Sequence, residues 1–307
     1  WESKIGTILD FSAEGKESVN DFNRALKQSI ASIEKAAISD NIPFSVFKPT
    51  GVCKFSLLEK INNNTPLSDN DKKEKQEYES RVNSICQLAH DRNVAVFIDA
   101  EESWIQDAID SIAEEMMIKY NTKKAIIFNT VQLYRNDRLI YLNSILERSK
   151  DNFFLGIKLV RGAYHEQEIL RAKTKNYPCP VHTLKTKTDT DYNTALETCI
   201  KNIARVSICA GTHNEKSTQI LANLMKEYGL NKTDNRIYFS QLLGMSDHIS
   251  YNLSEANYNV SKYVPYGPVK DVMPYLIRRA EENTSIAGQM GREIINIMEE
   301  KKRRKNA

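Results

Sequence analysis

Eight short runs of apolar and β-branched residues recur along the chain, and this repetition constrains the fold more than any other feature. They are IGTILDFS (5–12), FSVFKPTG (44–51), VAVFIDA (94–100), AIIFNTVQ (125–132), FLGIKLVRG (154–162), VSICAGTH (206–213), IYFSQLLG (237–244) and VSKYVPYG (260–267). Runs of this length and composition are strand signals. Between them lie helix-length stretches, among them 16–39, 72–92, 103–120 and 214–228, with apolar residues at three- and four-residue spacing. A strand followed by a helix eight times over predicts an α/β fold, a parallel (βα)8 TIM barrel. No linker and no repeat beyond this alternation interrupts the chain, so residues 1–307 are read as one domain.

Composition narrows the function classes. Apolar residues make up 41% of the chain, enough to fill a large core. The 43 basic and 40 acidic residues leave a formal charge of only +3, which gives no reason to expect nucleic acid as a partner. No apolar run reaches the roughly 18 residues that a membrane span needs. Five cysteines without CxxC spacing read as free thiols in a reducing, cytoplasmic setting, not as disulfides or a metal site. The chain opens at Trp1 without a charged-then-apolar leader. No signal peptide is expected, and a segment preceding Trp1 is. The basic tail KKRRKNA (301–307) reads as a solvated terminus, with contact to anionic lipid as the alternative.

The polar residues closing the eight runs carry the first functional signal: Asp10, Lys48, Asp99, Gln132, Arg161, Thr212 with His213, Gln241 and Tyr263. In a barrel they gather on the rim where active sites of this fold are built. Each alone has a loop-chemistry explanation, but the mixture of acid, base, amide and imidazole points to a site. His213 is a general-base candidate by type, with a structural histidine as the alternative. Two stretches depart from the regular pattern. Residues 165–185 are long and carry Pro178 and Pro180, which predicts a short helix and an excursion over the rim; 70–81 is mixed in charge and predicts a solvated helix face.

The last helical region spans 267–300, with Pro268 suited to a first turn and Pro274 to a kink or restart. Tyr275, Arg278, Arg279 and Glu282 fall on one stripe of it. Two guanidinium groups beside a phenol could clamp a carboxylate through paired, charge-assisted hydrogen bonds. On spacing alone, an exposed face with an Arg278–Glu282 pair is the better reading.

A resemblance changes that balance. YLIRRAEENTS (275–285) resembles the closing signature of the proline dehydrogenase family. In the same order, FKPTG (47–51), IDAEES (98–103), KLVRGAY (158–164), GTHN (211–214) and YVPYG (263–267) also resemble that family, with TLKTKTDTDY (183–192) a looser match. The resemblance covers nearly the whole chain, and the ordered set is specific where each motif alone is weak. It implies a distorted (βα)8 barrel with the last helix over the barrel mouth, noncovalent FAD, and oxidation of L-proline to Δ1-pyrroline-5-carboxylate with electrons passed to a quinone.

The same resemblance implies residue roles. Arg278, Arg279 and Lys48 bind the substrate carboxylate, with Glu14 as the acidic partner of Arg278. Tyr263, Tyr275 and Tyr164 line the substrate site, and Leu159 packs against the ring. Asp99 and Lys158 join Lys48 as catalytic residues. The flavin is assigned Ala100, Gln132, Lys158, Val160, Arg161, Gly162, Ala163, Thr183, Lys185, Thr212, His213, Gln241 and Glu282. Lys158 is a departure, since many bacterial members carry Arg there; the KLVRGAY form resembles mitochondrial-type members. Tyr263 favours proline over hydroxyproline, because a phenol there crowds a ring hydroxyl. A quinone acceptor implies peripheral contact at an inner membrane, mitochondrial in a eukaryote.

Two rivals stay open at this stage. Lys48 at a strand end is where the nucleophile of a Schiff-base aldolase would sit. A noncatalytic carboxylate-binding barrel would use the same cations without chemistry. Clustered cations are expected to lower the Lys48 pKa, leaving Lys48 or water to take the proton of the substrate amine.

Overall fold

Alternation within each strand decides what faces the barrel axis, and here it yields a closed barrel. In a computed structural model that describes residues 3–273, 275–277 and 298–304, eight parallel strands pair in the order β1-β2-β3-β4-β5-β6-β7-β8. They are β1 (Ile5–Phe11), β2 (Phe44–Phe47), β3 (Ala95–Ile98), β4 (Ile127–Gln132), β5 (Leu155–Val160), β6 (Val206–Gly211), β7 (Ile237–Leu242) and β8 (Val260–Tyr266). Each lies inside one of the eight runs read from the sequence.

The helices of the first half are α1 (Val19–Ala37), α2 (Pro49–Val52), α3 (Phe55–Asn62), α4 (Asp69–Arg92) and α5 (Ser103–Tyr120). Those of the second half are α6 (Arg138–Ser149), α7 (His165–Lys175), α8 (Lys185–Lys201), α9 (Glu215–Glu227) and α10 (Asp247–Glu255). Their boundaries follow from local chemistry. Ser18 caps α1 by accepting from the Asp21 amide at 3.1 Å, and Ser68 with Asp71 forms a capping box on α4. Asn214 caps α9 by accepting from the Ser217 amide at 3.0 Å, so GTHN joins β6 to its helix in a single turn. The stretch 70–81 is helical as expected, but not solvated throughout. Arg81 is buried, donates to the Val52 carbonyl at 3.1 Å and stacks over Phe22.

Two apolar layers result. The larger lies between sheet and helices. The smaller fills the barrel axis: Ile8, Phe44, Val46, Phe97, Phe128 and Cys209 with Tyr263 above them. Phe44 and Phe97 stack at 4.4 Å, and Phe128 meets both edge-on at 5.5–5.6 Å. Gly156 leaves the room for Phe128, since a Cβ there would overlap its ring and the Ile127 carbonyl. Such a floor excludes water from the residues one step further along each strand.

Residues Trp1–Pro265 and Tyr266–Ala307 separate as two compact units. In the second, Pro268 accepts from the amides of Asp271 and Val272, opening helical turns over 269–273 and 275–277. Residues 298–304 are helical and exposed apart from half-buried Glu300, to which Arg303 and Arg304 pair. Arg278, Arg279 and Glu282 lie outside the described residues, as does Pro274. No helix among the described residues is long and apolar enough to cross a membrane.

Candidate active site

One further step along the inward face of the strands replaces apolar residues with charge. Above Ile8 comes Asp10, above Val46 comes Lys48, above Phe97 comes Asp99; Lys158 stands on β5 and Tyr263 on β8. All five side chains converge and all are buried. Lys48 Nζ donates to both carboxylate oxygens of Asp10, at 3.0 and 2.9 Å, and lies 3.6 Å from Asp99 Oδ2. Lys158 Nζ makes a short ion pair with Asp99 Oδ1, and the Tyr263 hydroxyl donates to Asp99 Oδ2 at 2.6 Å. Both ammonium groups also face the Tyr263 ring, at 5.9 Å for Lys48 and 5.0 Å for Lys158, while Lys158 lies 5.1 Å over Phe97.

Two cations and two carboxylates thus form a charge-balanced knot over an aromatic floor, where low dielectric strengthens each contact. Burial pushes the Asp10 carboxyl up, against the pull of Lys48. Burial works the same way on Asp99, but Lys158 and Lys48 together hold Asp99 below its ordinary value. For Lys48, burial alone would lower the pKa; the fields of Asp10, Asp99 and Glu14 outweigh it and raise it. The expected lowering by clustered cations is therefore corrected. The nearest charges to Lys48 are carboxylates, and it is held as an ammonium ion. Glu14, half-buried in the loop after β1, acts electrostatically on Lys48.

The second half of the site runs along the ends of β4, β5 and β6. Gln132 donates from Nε2 to the Glu101 carbonyl at 2.7 Å, and its Oε1 accepts from the Ala163 amide at 3.1 Å. Gly162 has a φ of +144°, and a Cβ on it would overlap the Tyr134 ring; only glycine carries the chain through this turn. Arg161 reaches outward between α8 and α9, donating to Asp189 at 2.7 Å, Thr212 at 2.6 Å and Ser217 at 2.9 Å, with its guanidinium 4.4 Å from the Tyr192 ring centroid. His213 Nδ1 lies 3.1 Å from Ser246 Oγ. Ala100, Val160, Gly162 and Ala163 are all partly exposed at this edge.

Other expected site residues fall elsewhere. Leu159 is a correction: alternation from Lys158 turns it outward, and it is fully buried in the core between sheet and helices. Gln241 likewise faces α10, its amide joined to the Thr212 carbonyl at 3.2 Å and the Ser250 hydroxyl at 2.8 Å. Tyr164 is buried at the N-cap of α7. Thr183 and Lys185 are exposed, and Lys185 pairs with Asp189 at 2.7 Å. The segment after α7 does make an excursion, pinned to the β4–α6 connection by the Arg135–Val181 bridge and the Asn136 amide on the Pro180 carbonyl at 2.9 Å. Tyr275 is half-buried within the second unit.

Sequence reasoning missed Glu101 and Thr50, although both sit inside quoted motifs. Glu101 is almost fully buried; its Oε1 accepts from the Thr50 amide at 2.8 Å and its Oε2 accepts a short hydrogen bond from the Thr50 hydroxyl. Burial, with the Glu102 charge adding to it, pushes the Glu101 carboxyl up to about 8. It also missed Asp10 as the counter-ion of Lys48, having placed Asp10 only on the rim.

The residues at the β4–β6 edge fit a flavin by shape and chemistry. A strip of small residues, Gly162 and Ala163, lies beside the Gln132 amide, which can meet a flat heteroaromatic edge.

Comparison with known proteins bears on the same residues. Residues 1–292 match the sequence profile of the proline dehydrogenase family. The mitochondrial proline dehydrogenase 1 of Drosophila melanogaster is 41% identical over 73% of this chain. Its counterpart in Dictyostelium discoideum is 34% identical over 98% of the chain. The chain spans 34% and 60% of those two proteins, respectively. Among solved structures, proline utilization A from Bdellovibrio bacteriovorus, inactivated by N-propargylglycine, superposes with a TM-score of 0.82 over 93% of this chain and 30% of its own. At 20% identity that likeness speaks for the fold. A closed eight-stranded barrel, a buried Lys48–Asp10–Asp99–Lys158–Tyr263 knot and a profile match over 1–292 agree, and the chain belongs to the proline dehydrogenase family.

Proposed function

We propose that the chain is the catalytic barrel of a flavin-dependent proline dehydrogenase, oxidising L-proline to Δ1-pyrroline-5-carboxylate, the first step of proline breakdown. The observation that carries this reading is the buried knot itself: Lys48 fixed as a cation by Asp10 and Asp99 at the mouth, walled by Tyr263. A fixed cation over an apolar floor suits a small amino acid, whose carboxylate takes the charge while its ring takes the apolar wall.

Gln132, Arg161, Gly162, Ala163, Thr212 and His213 would hold noncovalent FAD, which would supply a two-electron acceptor for oxidation of the proline ring. The chain's own residues bind and orient. Asp99 stays ionised and aligns Lys158, Lys48 and the Tyr263 phenol, so the wall and the cation hold one geometry before substrate arrives. Lys48 keeps its proton, so the substrate amine gives its own to water. The same raised pKa weighs against a Schiff-base aldolase, whose lysine needs its pKa lowered. Arg278 and Arg279, in the segment that resembles the family's closing signature, would add two cations for the same carboxylate. A quinone in an adjoining membrane, approached peripherally, takes the electrons; the names of the two relatives support a mitochondrial location.

An anaerobic absorbance spectrum with and without L-proline tests the proposal. Bleaching of an oxidised-flavin band on adding L-proline is expected. A colourless protein after reconstitution with FAD, or a flavin band indifferent to L-proline, refutes it. Trapping of a substrate on Lys48 by borohydride would favour the aldolase instead.

A further inference from the structure

We propose that Glu101 is a positioning residue for the substrate carboxylate, acting on Lys48 through the Thr50 turn. The inference rests on the proline reading and names a residue outside the cation clamp.

Lys48 is the N-cap of α2, and the residue after it is Pro49, which has no N–H. Thr50 therefore offers the first amide donor of the turn, and Glu101 accepts it at 2.8 Å while also accepting from the Thr50 hydroxyl. Thr50 is buried with Glu101, so no solvent replaces either bond. The turn is held from the other side as well. Thr50 Oγ1 accepts from the Gly15 amide at 2.9 Å, and the Thr50 carbonyl accepts from the Lys16 amide at 3.0 Å. The loop bearing Glu14, whose charge acts on Lys48, thus hangs on the same residue.

Glu101 has a second connection. Its backbone carbonyl accepts from Gln132, whose other amide atom takes the Ala163 N–H on the flavin edge. Its own amide is fixed on Gln106 Oε1 at 2.9 Å, and Gln106 is anchored to buried Asp110 at 2.8 Å. Side chain and backbone of one residue thus set the substrate cation and the cofactor wall in a common frame. A buried carboxyl raised to about 8 has an energetic cost that an apolar residue would avoid. Its two acceptor atoms match the two donors of Thr50, which accounts for a carboxyl at this place. When it carries a proton, Oε2 can donate to Thr50 Oγ1, and the bridge persists.

The test compares the wild type, Glu101→Ala, Glu101→Gln and Thr50→Val as flavin-loaded proteins. Flavin per chain is read by absorbance, and L-proline KM and kcat by reduction of a dye. A misplaced Lys48 cation weakens binding of the carboxylate in ground state and transition state alike, which raises KM and leaves kcat. Glu101→Ala and Thr50→Val are therefore expected to raise KM about tenfold or more, with kcat and flavin content within about threefold. Glu101→Gln keeps an acceptor for the amide and a partner for the hydroxyl, so it should hold KM within about threefold of wild type. Thr50→Val leaves the Thr50 amide bond in place and carries the test if Glu101→Ala fails to fold. Wild-type KM in Thr50→Val, or a Gln variant as impaired as Ala, overturns the inference. A wild type that does not turn over L-proline overturns the proline reading instead.

Discussion

Asp99→Asn removes the one charge in the buried knot that both lysines face. Asp99 carries the counter-charge for Lys158, adds to that for Lys48 and accepts the Tyr263 hydroxyl at 2.6 Å. Asparagine keeps the volume and one acceptor but leaves two ammonium groups against the single carboxylate of Asp10. Breaking a buried pair by removing one partner costs about 3–5 kcal/mol. The lower end applies, because Asp10 remains as a counter-ion for Lys48. At about 2–4 °C per kcal/mol for large domains, Tm falls on the order of 10 °C. Thermal melting followed by circular dichroism measures it. Lys158→Met in the same background supplies the second leg: removing both partners restores charge balance around Asp10 and Lys48. The double variant should then be more stable than the sum of the single effects by about 1–3 kcal/mol. An Asp99→Asn protein melting within about 2 °C of wild type, or strict additivity in the cycle, would refute the reasoning.

Three further outcomes are expected. Tyr263→Ser removes the phenol that walls the site and donates to Asp99, so the ratio of kcat/KM for L-proline over hydroxyproline should fall; an unchanged ratio contradicts Tyr263 as the discriminating wall. Gly162→Ala forces a Cβ into the Tyr134 ring at a φ of +144°, and should lower Tm and flavin content together, by about 1–3 kcal/mol in stability; wild-type values of both would sink the assigned turn. Glu101 binds its proton more tightly folded than unfolded, its pKa rising from 4.5 to about 8 as burial and Glu102 act on it. The stability tied to that proton is fully present below the ordinary value and is lost as pH rises through the folded one. Glu101→Gln cannot titrate, so the Tm of wild type minus that of the variant should shrink between about pH 5 and about pH 9. A difference constant with pH contradicts the assignment.

The barrel was legible in the sequence because every strand carries its own apolar run and each is bounded by helix-length polar periodicity. Much of the site was legible for a related reason: Lys48 and Asp99 directly follow such runs, and strand ends in this fold share one rim. Errors arose where the decisive information was the face of a strand. Once Lys158 points inward, Leu159 must point outward, and Gln241 is turned to α10 by the same alternation. Period-two counting along KLVRG would have shown the first. The Lys48 pKa was misread for a different reason. Its nearest charge is Asp10, 38 residues away in sequence, and only strand pairing of β1 with β2 brings the two together. Glu101 was hidden by type: a glutamate beside Glu102 at a helix start reads as a solvated charge, and nothing local reveals its burial against Thr50.

The central claim is that the knot at the mouth of this barrel holds L-proline beside a flavin. The most direct measurement is the anaerobic spectrum of the FAD-reconstituted protein, recorded before and after L-proline is added. The oxidised-flavin band is expected to bleach with L-proline, and to bleach far less with hydroxyproline. A bound flavin whose spectrum L-proline leaves untouched would contradict it.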